Sequence, residues 1–203
     1  MTREDWIRAI DGNMLKPIFL IRAVVDGMIA RGFGRIINIT TMGVKSPGTY
    51  PQLGVSIGVR SGLTGFIGVL SRQAAHHNVT ISGLLPGRFE TDRLSENLEF
   101  AARAAGHSTE DEAERVRATI PARRFGQVEE FGAFAAFLCS THAGYLTGQN
   151  IVLDGGGLPG VDLTMLYDLF RSNPAARILT LTDEIARTAG RTLHGQPIQP
   201  HRN

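Results

Sequence analysis

Short apolar runs alternate along this chain with longer stretches of helical spacing, and the alternation predicts an α/β protein. Ile36, Ile37 and Ile39 lie between Gly34 and the polar pair Thr40-Thr41. VTISGLLPG at 79–87 is stopped by Pro86-Gly87, and Gln149 to Asp154 leads into Gly155-Gly156-Gly157. Apolar runs this short, bounded by turn formers, predict strands buried on both faces of a parallel sheet. Between the first two, Val59, Leu63, Phe66, Ile67 and Leu70 recur at helical spacing, predicting a helix that opens near Gly54 to Ser56 and ends around His76-His77. Thr2 with Asp5 reads as an N-cap and its acid, ahead of the apolar stripe Trp6, Ile7 and Ile10. After Asp11-Gly12 a second helix is expected to start near Pro17, to carry its apolar spacing from Ile18 to Ile29 and to end at Gly32. Glu129 to Cys139 predicts another helix, and Glu90 to Pro121 a charged helical excursion longer than an ordinary connection.

Composition narrows the class. The chain has 203 residues, 42% hydrophobic and 20% charged, which suits one soluble domain with a sizeable core. A formal charge of +2 is too small to point to nucleic acid. The single Cys139 excludes an intrachain disulfide and fits a reducing, cytoplasmic setting. No apolar run reaches the ~18 residues of a membrane span, and Arg3, Glu4 and Asp5 are not the start of a secretory signal. Beyond residue 160 the pattern changes to a helical extension over 161–203, with Leu163 to Phe170 and Ala175 to Ala189 separated by Asn173-Pro174.

Candidate chemistry gathers at the first strand's carboxyl end, where open parallel sheets bind ligands. Thr40 and Thr41 stand there, Ser46, Pro47, Gly48 and Pro51 break the chain, and Ser56 falls in the first turn of the next helix. Four pieces of sequence, GRIINIT, RSGLTGF, LLPGRFETDR at 84–93 and IPARRFGQVEEFGAFAAFLCSTHAGYLTGQNIVLDGG at 120–156, together resemble the short-chain dehydrogenase/reductase family. Within it the chain is similar to β-ketoacyl-carrier-protein reductases. The resemblance implies a Rossmann-like parallel sheet flanked by helices, an NAD or NADP cofactor, a small carbonyl substrate and a homo-oligomer built on helix pairs. Thr40, Pro86, Gly87 and Thr91 match its cofactor contacts, and Thr41 or Thr40 stands for its active-site serine. Asn13 matches an asparagine whose main-chain carbonyl anchors a relay water; Pro17, four residues on, has no N–H to occupy that carbonyl.

The match departs from the family at its centre. A tyrosine and a lysine four residues later are expected at the helix start, and this chain has Ser56 and Arg60. A serine hydroxyl is a far weaker acid than a phenol of pKa near ~10, and a guanidinium does not exchange its proton at working pH. Nothing before Trp6 reads as a strand and glycine-rich turn for a pyrophosphate, so residues 1–160 are expected to form a Rossmann-like domain lacking the first βαβ half.

A second motif overlaps the first. Gly54-Val55-Ser56-Ile57-Gly58 has the G-x-S-x-G spacing of a nucleophile elbow, although a loop precedes it where an elbow needs a strand. A serine at a helix N-terminus still meets free N–H groups suited to an oxyanion. His107, on the excursion, is the candidate base, with Asp92 or Asp111 to orient it; His76 and His77 lie ~30 Å down the same helix. Those two histidines read as a helix C-terminus, and no metal site is expected. The expectation placed first is therefore a cofactor-independent serine hydrolase of the esterase or lipase type, acting on a small ester. Its alternative is an NAD(P)-dependent oxidoreductase with a non-standard Ser56/Arg60 site, and a non-catalytic binding protein stands third. Gly58, Gly62, Gly65 and Gly68 offer a flat helix face for a subunit contact.

Overall fold

Three parallel strands in the order β1-β2-β3 carry the fold, in a computed structural model that describes residues 1–158. They are β1 (Gly34–Ile39), β2 (Val79–Pro86) and β3 (Asn150–Leu153). Ile36 pairs with Ile81 and Leu84 with Ile151. The middle strand β2 is buried from Val79 through Leu85, which is why it reads as an unbroken apolar run. The expected Rossmann-like α/β class is what the structure shows.

The helices cover both faces. On one side α2 (Lys16–Ala30) and α3 (Gly54–Ala74) bring Ile21, Val25, Leu63, Ile67 and Ala74 against Val79 and Ile81. On the other, α6 (Val128–Cys139) places Leu138 against Leu84 and Ala143, with Ile37, Phe131 and Ile151 packed around them. Ile36 and Ile37, adjacent in β1, thus enter opposite cores, as the two-residue repeat of a strand requires. The excursion folds as α4 (Asp92–Ala105) and α5 (Thr109–Ala118), which close over their own cluster of Leu94, Leu98, Ala113, Ile120 and Phe125. By length and composition Gly54–His77 would be able to cross a membrane. Its buried positions Ile57, Val59, Leu63, Ile67, Ser71 and Ala74 follow a helical stripe, the mark of a helix packed on a sheet.

One boundary differs from the sequence reading. Thr2 and Asp5 do form a capping box for α1 (Arg3–Ile10), but the chain does not break at Asp11-Gly12. It runs on through a wide turn at Asp11–Leu15, in which the Lys16 N–H reaches back five residues to the Asp11 carbonyl. Such a bulge keeps the helix going where Gly12 weakens it and Pro17 withholds a donor. The helical extension expected over 161–203 lies outside the described residues.

Two contacts fix the ends of the layers. The Gly87 N–H donates to the Leu153 carbonyl at 2.8 Å, and a Cβ on Gly87 would lie 2.5 Å from the Asp154 Cα. Because that neighbour is backbone, no rotamer change relieves the overlap. Gly87→Ala should therefore cost about 1–3 kcal/mol of stability, typical of overpacking, measured by urea denaturation. At the start of α6, Glu130 accepts from the Gln127 N–H and takes both arms of the Arg124 guanidinium, at 2.7 and 2.6 Å. The guanidinium first, and then that N–H, hold the Glu130 carboxyl down at about 2. A folded-state value below the ordinary 4.5 means stability present at neutral pH and lost as the pH falls toward about 2. Glu130→Gln should lower the melting temperature at pH 7, with the gap to wild type closing in acid below pH 4.5.

Candidate active site

Parallel pairing brings the carboxyl ends of β1 and β2 side by side, and the site forms there. Past the end of β1 the Thr40 N–H still donates to the Leu84 carbonyl, at 3.1 Å, so the two strand ends stay in register. Thr41 is extended and caps a short 3-10 turn, its Oγ1 accepting the Gly43 N–H at 3.3 Å. With its lone pair engaged, the Thr41 hydroxyl keeps its proton for another acceptor. Gly43 fits because a Cβ there would meet Ile57 Cγ1 at 2.7 Å, which shows how closely the turn lies against the first turn of α3. Two further 3-10 turns, each opened by a proline at Pro47 and Pro51, carry Tyr50 between them before α3 begins.

From β2 the chain passes through Gly87, Arg88 and Phe89 to Thr91, whose Oγ1 accepts the Leu94 N–H at 3.2 Å and so caps α4. These segments enclose a cleft of ≈ 420 Å³ lined by Thr41, Tyr50, Leu53, Gly87, Thr91 and Arg93 among others. Arg88, also in its wall, turns as well toward a smaller cavity of ≈ 220 Å³ bordered by the Arg124–Glu130 pair. In the cleft, the Tyr50 hydroxyl, the Asn97 amide and the guanidiniums of Arg88 and Arg93 have no hydrogen-bond partner among the described residues. A wall of unengaged donors on a partly apolar floor is the form of a ligand site.

Ser56 and Arg60 lie one turn apart on α3, both half-buried. Arg60 donates to Ser56 Oγ and, at 3.5 Å, to its carbonyl. Burial lowers the pKa of this guanidinium, and no carboxylate faces it among the described residues. Neither residue is in the cleft wall. Asn13 occupies the wide turn before α2 and ties itself down through its Nδ2, which donates to the Ala9 carbonyl at 3.1 Å. That turn packs on α3, where a Cβ on Gly62 would touch Met14 Sδ at 2.8 Å. Thr40 Oγ1 is buried without a hydrogen-bond partner among the described residues.

The serine triad expected from the sequence does not assemble. His107 belongs to the turn between α4 and α5. Its Nδ1 faces the Ser108 carbonyl at 3.2 Å, and its Nε2 faces Arg115 at 3.2 Å and Glu112 at 3.3 Å. Asp111 accepts from the Ser108 hydroxyl at 2.7 Å while its own N–H donates to Ser108 Oγ at 3.1 Å; hydrogen bonding from Ser108 lowers its pKa, and the pair is spent on capping α5. Asp92 is exposed at the first position of α4. No hydrogen bond among the described residues joins Ser56 to His107 or Asp92, and Ser56 Oγ is engaged by Arg60 instead. Sequence reasoning also passed over Tyr50, Arg88 and Arg93. The available signal was position: Tyr50 and Arg88 sit in loops and Arg93 in the first turn of α4, all in segments that leave the carboxyl ends of strands.

Comparison with known proteins settles the family. A family model described as enoyl-(acyl carrier protein) reductase matches residues 1–157. An acetoacetyl-CoA reductase of Cupriavidus necator is 35% identical over 77% of this chain and 58% of its own length. A NADPH-dependent reductase, BacG, of Bacillus subtilis is 36% identical over 78% of this chain and 60% of its own. Among solved structures, YwfH, an NADPH dependent reductase involved in bacilysin biosynthesis, superposes with a TM-score of 0.73 at 32% identity, over 79% of this chain and 61% of that one. Actinorhodin polyketide ketoreductase with NADPH gives 0.70 at 26% identity, over 77% and 60%. The chain thus spans about three-fifths of the length of these relatives. They overturn the first expectation, a serine hydrolase that needs no cofactor, because these relatives are reductases and several are named with NADPH. By sequence and by fold, the chain belongs to the short-chain dehydrogenase/reductase family and is similar to its ketoacyl reductases.

Proposed function

We propose that this chain carries the substrate-side residues of an NAD(P)-dependent carbonyl reductase of the ketoacyl type. The observation that carries the reading is the cleft at the carboxyl ends of β1 and β2, with Thr41 and the Pro86-Gly87 and Thr91 segment on its wall. The residues there suit a nicotinamide dinucleotide: the partnerless donors of Arg88, Arg93 and Asn97 match phosphate and carboxamide oxygens, while Met42, Leu53 and Phe89 supply apolar surface. Pro86, Gly87, Thr91 and Thr40 are the residues that would hold it, and bound in reduced form it supplies a hydride.

The chain's own residues then have separable tasks. Thr41, its oxygen already satisfied by the Gly43 N–H, donates its proton in a hydrogen bond to the substrate carbonyl and polarises it. Arg60, a cation with no counter-ion among the described residues, contributes positive potential at the first turn of α3, and Ser56 fixes its guanidinium through the hydroxyl. The Asn13 main-chain carbonyl, which Pro17 leaves without its helical N–H, is a place for a relay water. The substrate is a small carbonyl compound. The free Cys139 agrees with a reducing, cytoplasmic setting.

Assembly as a homo-oligomer belongs to the same reading. Phe19 and Leu20 on α2 are 59% and 70% exposed, and Gly65 and Gly68 on α3 have open space before them. Gly58 and Gly62, expected on the same face, instead approach Trp6 and Met14 of this chain.

With NADPH and an acetoacetyl thioester, the purified protein should show saturable cofactor fluorescence and loss of absorbance at the nicotinamide band. Thr41→Val should lower kcat by ~10²-fold, the usual effect of removing one oxyanion donor, and Arg60→Gln by less. No NADPH or NADH binding at millimolar concentration would reject the assignment. Light scattering at micromolar protein should give a dimer or larger, and Leu20→Glu should shift it toward monomer; a wild-type monomer would exclude the subunit contact.

A further inference from the structure

A carbonyl reductase must deliver a proton as well as a hydride, and the helix position where the family resemblance expects a phenol carries Ser56. The cleft wall narrows the choice of donor. Among the described residues it contains no histidine, carboxylate, lysine or thiol. Its guanidiniums, Arg88 and Arg93, hold their protons too tightly to pass them on, and threonine and asparagine are weaker acids still. One lining side chain is of a type whose proton is transferable: the phenol of Tyr50.

Its setting fits the task. Tyr50 stands in the loop leading to α3, with its backbone pinned on both sides: its N–H donates to the Pro47 carbonyl at 3.3 Å and its carbonyl accepts the Leu53 N–H at 3.0 Å. The side chain is half-buried, and its hydroxyl has no hydrogen-bond partner among the described residues. It shares the cleft with Thr41, whose own hydroxyl proton is free to mark the position of a substrate oxygen. Tyr145, the other tyrosine among the described residues, is fully exposed and lines none of the cavities described.

We propose that Tyr50 is the general acid of this site: a phenol supplied from the loop before α3 in place of one on the helix itself. The inference rests on the carbonyl-reductase reading above. In the step, the carbonyl carbon of the substrate accepts a hydride from a reduced nicotinamide and the C–O π pair moves onto oxygen. That oxygen, held by Thr41, takes the phenolic proton as the Tyr50 O–H bond breaks. The phenolate left behind shares the cleft wall with the cations Arg88 and Arg93 and recovers a proton from water. The products are an alcohol and the oxidised nicotinamide. Arg60 and Ser56, outside the wall, act on this exchange through charge and position.

The test uses the full 203-residue chain and two readouts. In the first, Tyr50→Phe, checked for unchanged melting, should lose ~10²- to 10⁴-fold in kcat for reduction of acetoacetyl-N-acetylcysteamine by NADPH, with KM little altered. Turnover within twofold of wild type would overturn the assignment. In the second, protein labelled at the tyrosine ring carbon bonded to oxygen is titrated with the same thioester and no cofactor. The resonance missing from Tyr50→Phe should shift saturably, while that of Tyr145 stays fixed. A thioester that leaves the Tyr50 signal unmoved overturns the proposal, since the phenol then does not meet the carbonyl. A wild-type protein that transfers no hydride rejects the reductase reading and the acid role with it. Activity that survives Tyr50→Phe rejects only the acid role.

Discussion

A strand hydrogen-bonded on both edges and apolar on both faces is the constraint on which the rest of this structure depends. β2 meets it by pairing with β1 on one side and β3 on the other while helices close both faces. Its backbone donors and acceptors have no water to turn to, so its neighbours must lie parallel and in register. Parallel pairing in turn sends every strand's carboxyl end to the same edge of the sheet. The loops that leave β1 and β2 are therefore neighbours in space though the paired residues, Ile39 and Leu84, are 45 apart in sequence. The site is a consequence of how the core is satisfied.

At that edge the chain replaces one set of chemical parts by another. A phenol and an ammonium on α3 would place acid and cation on one helix turn. Here that turn holds an alcohol and a guanidinium bonded to each other. This pairing leaves the Ser56 oxygen as an acceptor and the Arg60 charge without a carboxylate among the described residues, a charged group that is costly to bury and therefore informative. Acid and cation are separated as a result. Positive charge stays on α3 and in the Arg88 and Arg93 wall, and in the proposed assignment the transferable proton belongs to Tyr50 in the loop.

The GVSIG spacing shows how a motif misleads when its context is missing. In an elbow the serine follows a strand directly and stands clear of its neighbours. In this chain two proline-opened turns precede it, and the next helical turn delivers Arg60 onto its oxygen. The His107 expectation failed for a related reason. The α4–α5 pair was placed correctly in the sequence, but α5 puts Glu112 and Arg115 on the same side as His107, and the ring is taken up within its own helical hairpin. A helix pair on the chain can be anticipated from periodicity, whereas the side toward which its turn faces depends on which apolar stripe finds a partner, here Leu94, Leu98, Ala113 and Phe125.

What the residues alone determined were properties that depend on near neighbours. The three strands follow from short apolar runs, the α1 cap from Thr2 and Asp5, the start of α3 from the spacing after Gly54, and the family from four blocks that no rearrangement of the fold alters. Tertiary structure decided the rest. It carried the helix through Asp11–Leu15, set Gly87 against the Asp154 backbone, and brought Tyr50 and Arg93 into one cleft. Those outcomes depend on which groups meet across the sheet edge. The physical reason is that hydrogen-bond capping and periodicity act over three or four residues, while a binding wall is assembled by strand pairing between segments that carry no record of each other in their own sequence.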